Sequence, residues 1–358
     1  MADRLYLDHA ATTPMTAAAR AAVADGMTRW ANPSSPHAEG RAARAALEGA
    51  RAAIAAAYDW PGETLLTSGT SESLAIALNR SVAARRLISA VEHDAVIRAA
   101  PDSAVLAVGT DGLLAPEKLG AALAKGARAL VCVQWANSET GVRQPIAALA
   151  DAAHAAGALL LVDAAQMPAG ADGEVAAHAD FVALSSHKRG GPAGMGALLV
   201  RNLATLSPTG GQERGYRPGT ENLPGALGYA AALAEPEDLS AMAALRATLD
   251  DAINRSGGEV VAADAPRHPA IGAYRMPGVA ATTQLIRFDM AGIAVSAGSA
   301  CASGSMKPSH VLGAMGWDEA PSREVVRVSF GRGTSAADID RFVAAWRTTA
   351  RETRRAAA

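Results

Sequence analysis

The sequence predicts an α/β protein, with a mostly parallel sheet flanked by helices in a large domain and a smaller α/β domain at the C-terminal end. Two observations support this fold class. Short apolar runs alternate with alanine-rich helical segments through the first two thirds of the chain, which is typical of parallel strands connected by helices. Beyond that region, strands and helices mix in a different pattern.

The predicted elements follow one another in a regular order. A helix is predicted over residues 38–57, "AEGRAARAALEGARAAIAAA", with its arginines on one solvent-exposed face. Further helices are predicted over residues 72–80 and 146–156. The predicted strands lie in "TLLTSG", "RLISA", "AVLAVG", "ALVCVQW", "ALLLVDAAQ", "DFVALSSHK" and "GALLVRN". In such folds the chemistry usually lies at the carboxyl ends of the strands.

A domain boundary is predicted near "EPEDL", residues 235–239, where a long helix begins. The last third adds strands in "AIGAYRM", "IAVSAG" and "VVRVSFG". We therefore predict a large domain over residues 14–235, and a small domain made of residues 1–13 and 236–358.

The composition excludes several classes of protein. Half of the 358 residues are hydrophobic and 19% are charged, which indicates a folded globular chain. The formal net charge of −2 provides no basic surface for nucleic acid. No apolar run is long enough to span a membrane. Two cysteines cannot form a disulfide framework, and the first residues lack the apolar run of a signal peptide. We expect a cytoplasmic protein.

The two cysteines have opposite surroundings. Cys132 lies in the apolar run "ALVCVQW", which is typical of a core residue. Cys301 lies in "SAGSACASG", among small residues that give it almost no packing. Neither cysteine has zinc-site spacing to the histidines, so no metal site is predicted.

The stretch "TSGTSES", residues 67–73, follows a predicted strand and opens a helix. Free backbone N–H groups, hydroxyls and the positive end of the helix converge there, which suits a phosphate group. A simple Ser/Thr helix cap is an equally good interpretation of this stretch alone.

Two charged residues follow neighbouring apolar strands. Asp163 ends "LLLVD", where a carboxylate needs a positive partner such as a protonated ring nitrogen. Lys188 follows "FVALSSH" and precedes a glycine-rich turn, a position that suits a Schiff-base lysine. The alternatives are a cap or loop aspartate and an ordinary surface lysine.

Two further residues are candidates by position. His93, in "VEHDAV", follows another predicted strand, and so joins the same predicted edge as Asp163 and Lys188. Arg332, in "VSFGRGT", follows a strand of the small domain and could clamp a carboxylate through two hydrogen bonds. A structural histidine and a solvated arginine are the alternatives.

Taken together, these motifs resemble the cysteine desulfurases, in the branch that serves iron–sulfur cluster and nitrogenase assembly, within the class V aminotransferases. The resemblance covers nearly the whole chain. It is carried in family order by "YLDHAATTP", "NPSSPH", "TSGTSES", "EHDAV", "NSETGVRQP", "VDAAQ", "SSHKRGGPAGMGAL", "ERGYRPGTENLPG", "SAGSACASGSMKPSHVL" and "RVSFGRGT". It implies the fold type I architecture of enzymes that use pyridoxal 5′-phosphate.

The resemblance also implies roles for particular residues. Lys188 matches the Schiff-base lysine, Asp163 the partner of the pyridinium nitrogen, and His93 the histidine stacked on the ring. Gln166 matches the glutamine at the ring oxygen. The family's phosphate contacts fall on Thr70, Ser71, Ser185 and His187.

Three matches concern the substrate and the partner subunit. Arg332 matches the arginine that binds the substrate carboxylate, and Cys301 the nucleophile that receives sulfur as a persulfide. Thr220 matches a threonine that reaches the cofactor of the other subunit, which implies a homodimer.

One motif departs from the family. Asn137, Ser138 and Glu139 stand where Asn-Asn-Glu is usual. Either Ser138 takes the role of the second asparagine near the phenolic oxygen with a shorter reach, or Asn137 shifts into it.

The function implied is the removal of sulfur from L-cysteine, giving L-alanine, with transfer to an acceptor protein such as an iron–sulfur scaffold. The alternatives are a selenocysteine lyase or related lyase or aminotransferase, and a catalytically silent sulfur-relay or scaffold-binding homologue.

Overall fold

The computed structural model describes residues 4–124, 126–298 and 308–357. Its main feature is a seven-stranded sheet in the order β2-β8-β7-β6-β5-β3-β4. These strands are β2 (Glu63–Thr67), β3 (Arg85–Ser89), β4 (Ala104–Leu106), β5 (Ala129–Gln134), β6 (Leu159–Asp163), β7 (Phe181–Ser185) and β8 (Gly196–Val200). Strands β3 to β7 are parallel. The mixed α/β fold with a mostly parallel sheet is confirmed.

One strand differs from the parallel pattern. β8 pairs antiparallel with both β7 and β2. The reason is the short connection between β7 and β8, residues 186–195, which is a turn without a crossover helix. Parallel pairing needs a crossover of a dozen or more residues. β2 is therefore again parallel to β7, and its carboxyl end lies at the same edge.

Helices cover both faces of this sheet, as expected for fully buried parallel strands. Their bounds, from the N-terminus, are α1 (Ala17–Thr28), α2 (Ala38–Ala57), α3 (Thr70–Arg80), α4 (Asp94–Ala99), α5 (Pro116–Leu123), α6 (Ile146–Ala155), α7 (Gly173–His178) and α8 (Leu223–Leu233). The predicted helix over residues 38–57 has the bounds of α2.

Strand β5 shows how the two cores are divided. Val131 and Val133 pack with Leu47 of α2 on one face, while Leu130 and Cys132 pack with the residues of α3 and α4 on the other. This alternation is the two-residue period of a strand. Cys132 is fully buried, as its apolar surroundings predict.

A second group of elements follows α8. These are α9 (Leu239–Arg255), β9 (Glu259–Val260), β10 (Ile271–Arg275), α10 (Ala281–Met290), β11 (Ile293–Ala294), α11 (His310–Ala314), α12 (Glu319–Ser322), β12 (Val325–Ser329) and α13 (Ala336–Ala357). Asp238 caps α9 by accepting from the backbone N–H of Ala241 at 2.9 Å. The three-stranded sheet β12-β10-β9 packs against α9, α10 and α13.

The N-terminal residues join this second group. β1 (Leu5–Tyr6) pairs parallel with β11, and Leu5 and Leu7 lie in the hydrophobic cluster of β10, β12 and α13. Other residues of this second group, Val311, Leu312 and Met315, belong to the core of the large sheet. The division into residues 14–235 and residues 1–13 with 236–358 stays a proposal. Among the described helices, none is long and apolar enough to cross a membrane.

Candidate active site

The predicted polar edge of the sheet is formed by strands that end together. Gln134, Asp163 and Ala183 are register partners across β5, β6 and β7. Asp163 is the last residue of β6, and Lys188 follows the end of β7 by three residues. His93 follows β3 at the same edge. The topology therefore brings Asp163, Lys188 and His93 to one side of the sheet.

Lys188 is placed by contacts of its own backbone. The hydroxyl of Thr13 donates to its carbonyl oxygen at 3.1 Å, which fixes the residue against the N-terminal segment. Burial lowers the pKa of the Lys188 amine to about 8, against the opposing effect of the Asp163 carboxylate, and the positive charges of Arg327 and Arg189 lower it further. A buried amine that deprotonates this readily suits imine formation and proton transfer, not a solvated surface position.

Asp163 is 6% exposed. Its Oδ1 accepts from the backbone N–H of Ala165 at 3.0 Å, and no helix begins there, so it is not a helix cap. The carboxylate acts electrostatically on both Lys188 and His93.

His93 has the structural role that was the alternative for it in the sequence, since it caps a helix, and its role beside the cofactor stays a prediction. Its Nδ1 accepts from the backbone N–H of Ala95 at 3.1 Å and so caps α4. His93 is exposed, yet partial desolvation of its ring lowers the pKa of His93, as does the positive charge of Lys188. With Nδ1 used as an acceptor and a lowered pKa, the neutral ring carries its hydrogen on Nε2.

The stretch "TSGTSES" forms a cradle at the N-terminus of α3. Gly69, which precedes α3, has φ +148°, a conformation that only glycine adopts readily. Thr67 and Ser185 are both register partners of Gly196, so the start of α3 lies beside the end of β7. A Cβ added at Gly196 would lie 2.6 Å from the Cα of Gly69. Two glycines thus allow the close approach.

Thr70 is the first residue of α3, and its buried Oγ1 has no hydrogen-bond partner within the described residues. Ser71 is exposed beside it, and Ser185 is buried. His187 lies next to Lys188, and its Nδ1 is 3.2 Å from the hydroxyl of Thr12. Burial and the charge of Lys188 lower the pKa of His187.

Gln166 shows a similar unused acceptor. Its Nε2 donates to the carbonyl oxygen of Ala10 at 2.9 Å, while its buried Oε1 is without a partner in the part of the chain that the structure describes. The amide nitrogen is therefore held by a hydrogen bond, while the amide oxygen at the polar edge has no partner among the described residues.

The turn after β5 distinguishes Asn137 from Ser138. Asn137 Oδ1 accepts from the backbone N–H groups of Glu139 and Thr140, both at 2.9 Å, and its Nδ2 donates to the carbonyl oxygen of Val91 at 3.1 Å. The amide of Asn137 is therefore used in holding the turn. The sequence left open whether Asn137 or Ser138 lies near the phenolic oxygen of the cofactor. This arrangement favours Ser138, which is half-buried.

Thr220 is exposed, on the segment between β8 and α8. The segment is anchored by the buried ion pair of Glu213 with Arg51 and by the ion pair of Arg217 with Glu72 at 2.8 Å. Glu72 lies in the first turn of α3. The predicted contact of Thr220 with a second subunit stays a prediction.

Arg332 lies near Lys188 but is heavily bonded. Its Nη1 donates to the carbonyl oxygen of Arg189 at 3.1 Å, and its Nη2 lies 3.2 Å from both the carbonyl oxygen of Glu235 and the carboxylate of Glu237. Glu237 also pairs with Arg189. The role of Arg332 toward a substrate carboxylate stays a prediction.

A second arginine, Arg327 of β12, is a candidate site residue that the sequence motifs did not indicate. It is 6% exposed, pairs with Asp8 at 2.6 Å, and acts on the pKa of Lys188 more strongly than Arg189 does. Arg327 lines a cavity of about 190 Å³ with Ala297, Gly298 and Ser309, among others. An arginine inside the apolar run "VVRVSF" needs a partner of opposite charge or a hydrogen-bond acceptor. This feature of the sequence could have indicated Arg327 as a candidate site residue.

Cys301 lies outside the described residues. Gly298 and Pro308, which border residues 299–307, both line the cavity beside Arg327. The described residues on either side of that segment therefore line the same cavity.

The comparisons with known proteins decide the family. The model of the family described as "Aminotransferase class-V" matches residues 5–342. The chain belongs to the class-V aminotransferase family. A cysteine desulfurase of Cereibacter sphaeroides is 38% identical, over 95% of this chain and 94% of that protein. An IscS-like cysteine desulfurase of Mycobacterium tuberculosis is 36% identical, over 94% of this chain and 93% of that protein.

A solved structure agrees with these relatives. The X-ray structure of a NifS-like protein from Rickettsia africae has a TM-score of 0.87 and 29% identity, covering 97% of this chain and 99% of that one. The class-V aminotransferases and the cysteine desulfurases among them depend on pyridoxal phosphate. The predicted family, the fold type I architecture and the cofactor are confirmed.

The residues of this class-V aminotransferase fit the cofactor. Among the described residues neither Thr70 Oγ1 nor Gln166 Oε1 has a hydrogen-bond partner. Thr70 Oγ1, at the start of α3, matches a phosphate, and Gln166 Oε1 matches a ring substituent that donates or shares a hydrogen. Lys188 offers an amine with a pKa of about 8 for covalent attachment. Asp163 offers a buried carboxylate for a positive ring nitrogen.

Proposed function

We propose that this class-V aminotransferase is a cysteine desulfurase, which removes sulfur from L-cysteine, releases L-alanine and leaves a persulfide on Cys301. The observation that carries the proposal is the meeting of Lys188, Asp163 and His93 at one edge of the sheet, where each acts on the charge of another. The identity of about 36–38% with cysteine desulfurases over nearly the whole chain supports the same reaction.

Pyridoxal phosphate, when bound, supplies an electron sink for the substrate's α-carbon. We propose that Thr70, Ser71, Ser185 and His187 hold its phosphate, with Asp163 at the ring nitrogen and Gln166 and Ser138 at the ring oxygen. His93 would stack on its ring, as the resemblance to the family implies. Lys188 holds the cofactor and then takes the proton from the substrate's α-carbon, which its lowered pKa allows near neutral pH.

The substrate needs a carboxylate partner beside Lys188. We propose Arg327 for this role, because it lines the 190 Å³ cavity beside the borders of the Cys301 segment. Arg332 is the alternative predicted from the sequence. Both guanidinium groups already have partners, since Arg332 contacts Glu237 and backbone carbonyls, and Arg327 contacts Asp8 and the carbonyl oxygen of Ser138. Both arginines would provide charge-assisted hydrogen bonds.

The sulfur step takes place between the Cys301 thiolate and the sulfur of the substrate. The thiolate forms a bond to the substrate sulfur while the carbon–sulfur bond breaks, and the electron pair of that bond stays with the substrate carbon. That carbon takes a proton and becomes the methyl group of alanine, Lys188 returns a proton to the α-carbon, and Cys301 keeps the sulfur as a persulfide. His93, neutral because of its lowered pKa, assists proton transfer.

Delivery of the sulfur completes the proposal. The persulfide on Cys301 passes to an acceptor protein, for which an iron–sulfur scaffold in the cytoplasm is the candidate. The exposed Thr220 reaches the cofactor of a second subunit in a homodimer.

The direct test is alanine release from L-cysteine by the purified holoenzyme, measured beside release from L-selenocysteine. We expect turnover of cysteine that depends on the cofactor. Turnover of selenocysteine alone would indicate a selenocysteine lyase. A protein that binds no cofactor, and that borohydride does not modify at Lys188, would be a silent homologue and would contradict the proposal.

A further inference from the structure

Gln166 is held at two points by residues that lie outside the large sheet. Its backbone carbonyl oxygen accepts a hydrogen bond from Nε2 of His268 at 3.0 Å, and its side-chain Nε2 donates to the carbonyl oxygen of Ala10 at 2.9 Å. The backbone N–H of Ala10 in turn donates to the hydroxyl of Ser329 in β12 at 2.9 Å. His268 lies between β9 and β10. Both contacts therefore tie Gln166 to the second group of elements.

The direction of the hydrogen bond from His268 is fixed by the other nitrogen of its ring. Nδ1 of His268 accepts from the backbone N–H of Ala270 at 2.9 Å, so the ring hydrogen is on Nε2 and is donated to the carbonyl oxygen of Gln166. Burial lowers the pKa of His268 to about 3, and the positive charge of Arg189 lowers it further. The ring is therefore neutral near neutral pH.

The place of the His268 ring is closely determined. The residue is 3% exposed, and its ring meets Trp135 edge to face with the ring centroids 5.6 Å apart. The backbone N–H of His268 donates to the carbonyl oxygen of Gly141 at 2.6 Å, and that of Arg143 donates to the carbonyl oxygen of Pro266 at 2.8 Å. The segment before β10 is thus paired with the turn after β5, which holds the imidazole beside Gln166.

These contacts determine where the amide oxygen of Gln166 lies. That oxygen is buried and has no hydrogen-bond partner among the described residues. Because the amide nitrogen is bonded to Ala10, the position of the oxygen depends on where the backbone of Gln166 is held. Hydrogen bonds weaken steeply with distance and angle, so a small shift of this backbone changes any bond that the oxygen accepts.

We propose that His268 is a positioning residue for Gln166, which acts through the backbone carbonyl of Gln166 to place its amide oxygen against the ring oxygen of pyridoxal phosphate. This inference rests on the proposed function, in which Gln166 lies at that ring oxygen. An acceptor there stabilises the form of the bound cofactor that carries a proton at this place, so misplacing the acceptor favours loss of the proton. The effect of His268 therefore falls on the proton equilibrium of the bound cofactor.

Two substitutions at position 268 separate the contact with Gln166 from the contact with Ala270. The amide nitrogen of glutamine reaches as far as Nε2 of histidine, so His268→Gln keeps a donor for the carbonyl oxygen of Gln166. Asparagine places an oxygen where Nδ1 of histidine lies. His268→Asn therefore keeps an acceptor for the backbone N–H two residues on, but is too short to reach Gln166.

The readout is the pH midpoint of the absorbance change of the bound cofactor in the holoenzyme. In His268→Asn we expect the midpoint to fall by about half a pH unit or more, which is about a threefold change in the proton equilibrium. In His268→Gln we expect a midpoint within about 0.2 unit of the wild type, because the donor is kept.

Two controls show whether the shift passes through Gln166. Gln166→Leu should lower the midpoint at least as far as His268→Asn does, and adding His268→Asn to it should produce no further shift, because the amide is already missing. Ile253→Ala, at a fully buried position in the core of α9 and α13, should lower the melting temperature without moving the midpoint.

An unchanged midpoint in His268→Asn would overturn the inference, as would an equal shift in Ile253→Ala, since lost stability alone would then explain it. An unchanged midpoint in Gln166→Leu would overturn it even if His268→Asn does not fold. A further shift in the double variant would show that His268 acts by another route. If the wild type binds the cofactor but releases no alanine from cysteine, the proposed function fails instead, and the midpoints still decide whether His268 positions Gln166.

Discussion

Arg327 and Ser296 exchange two backbone hydrogen bonds, with N–H to O distances of 3.2 Å from Ser296 and 2.7 Å from Arg327. Ser296, which starts the "SAGSACASG" stretch, is therefore paired with Arg327, which lines the 190 Å³ cavity. Because the Arg327 guanidinium also influences the Lys188 amine, this pairing links Ser296 to the polar edge of the large sheet.

The first prediction separates the two arginines. Arg327→Gln should raise KM for cysteine about tenfold or more, because a lost charge-assisted hydrogen bond costs about 1.5–3 kcal/mol. Both variants should lower the melting temperature, since each guanidinium holds a carboxylate and a backbone carbonyl, but Arg332→Gln should leave KM nearly unchanged. Steady-state alanine release and thermal unfolding measure the two effects. A raised KM in Arg332→Gln alone would restore the assignment made from the sequence.

The second prediction concerns the cradle at the start of α3. Thr70→Val should leave the free energy of unfolding of the cofactor-free protein nearly unchanged, because the buried hydroxyl has no partner in the described chain. The same variant should bind pyridoxal phosphate about tenfold more weakly. Denaturant unfolding and cofactor titration test both parts. Equal cofactor affinity in the wild type and in Thr70→Val would show that Thr70 does not bind the phosphate.

The third prediction is a pH dependence. Burial lowers the pKa of Lys188 to about 8, and only the neutral amine attacks an aldehyde. The rate of cofactor uptake by the cofactor-free protein should rise about tenfold per pH unit well below pH 8 and level off above it. Rapid-mixing absorbance measures this rate. A rate still rising steeply above pH 9 would indicate an amine with an ordinary pKa.

The fourth prediction concerns Glu92, which is fully buried beside Asp163. Burial raises its pKa to about 8, so the folded protein disfavours the ionised form that the unfolded chain adopts above about pH 4.5. Stability from the neutral acid is complete below that pH and is lost as the pH rises toward 8. Glu92→Gln removes the titratable group, and with it this pH-dependent loss of stability.

The free energy of unfolding of wild type relative to Glu92→Gln should therefore fall between pH 5 and pH 8, by about 1 kcal/mol or more. Paired denaturation curves across this range test it. A difference between the two proteins that does not vary with pH would show that Glu92 ionises normally.

Local sequence patterns were enough to predict the helix over residues 38–57, the strand ends and the gathering of Asp163, Lys188 and His93. These features follow from hydrophobic periodicity and from the parallel topology, in which neighbouring strands end together. Roles for the predicted site residues came from the family motifs and stay proposals.

Contacts between distant parts of the chain were not predictable in the same way. Glu139 and Ser309 are 170 positions apart, and nothing in either local stretch indicates their hydrogen bond. Arg327 has partners in Asp8 and Ser138, which belong to other regions of the chain. The antiparallel direction of β8 depended on the length of one turn. Such features come from tertiary packing, which a single sequence pattern does not contain.

The most direct test of the central claim compares the two cysteines of the chain. Alanine release from L-cysteine should be abolished in Cys301→Ala, with the absorbance of the bound cofactor unchanged, and should persist in Cys132→Ala. The wild type should also carry a persulfide on Cys301 after one turnover, seen as an added sulfur in the peptide mass. Normal alanine release by Cys301→Ala would contradict the account.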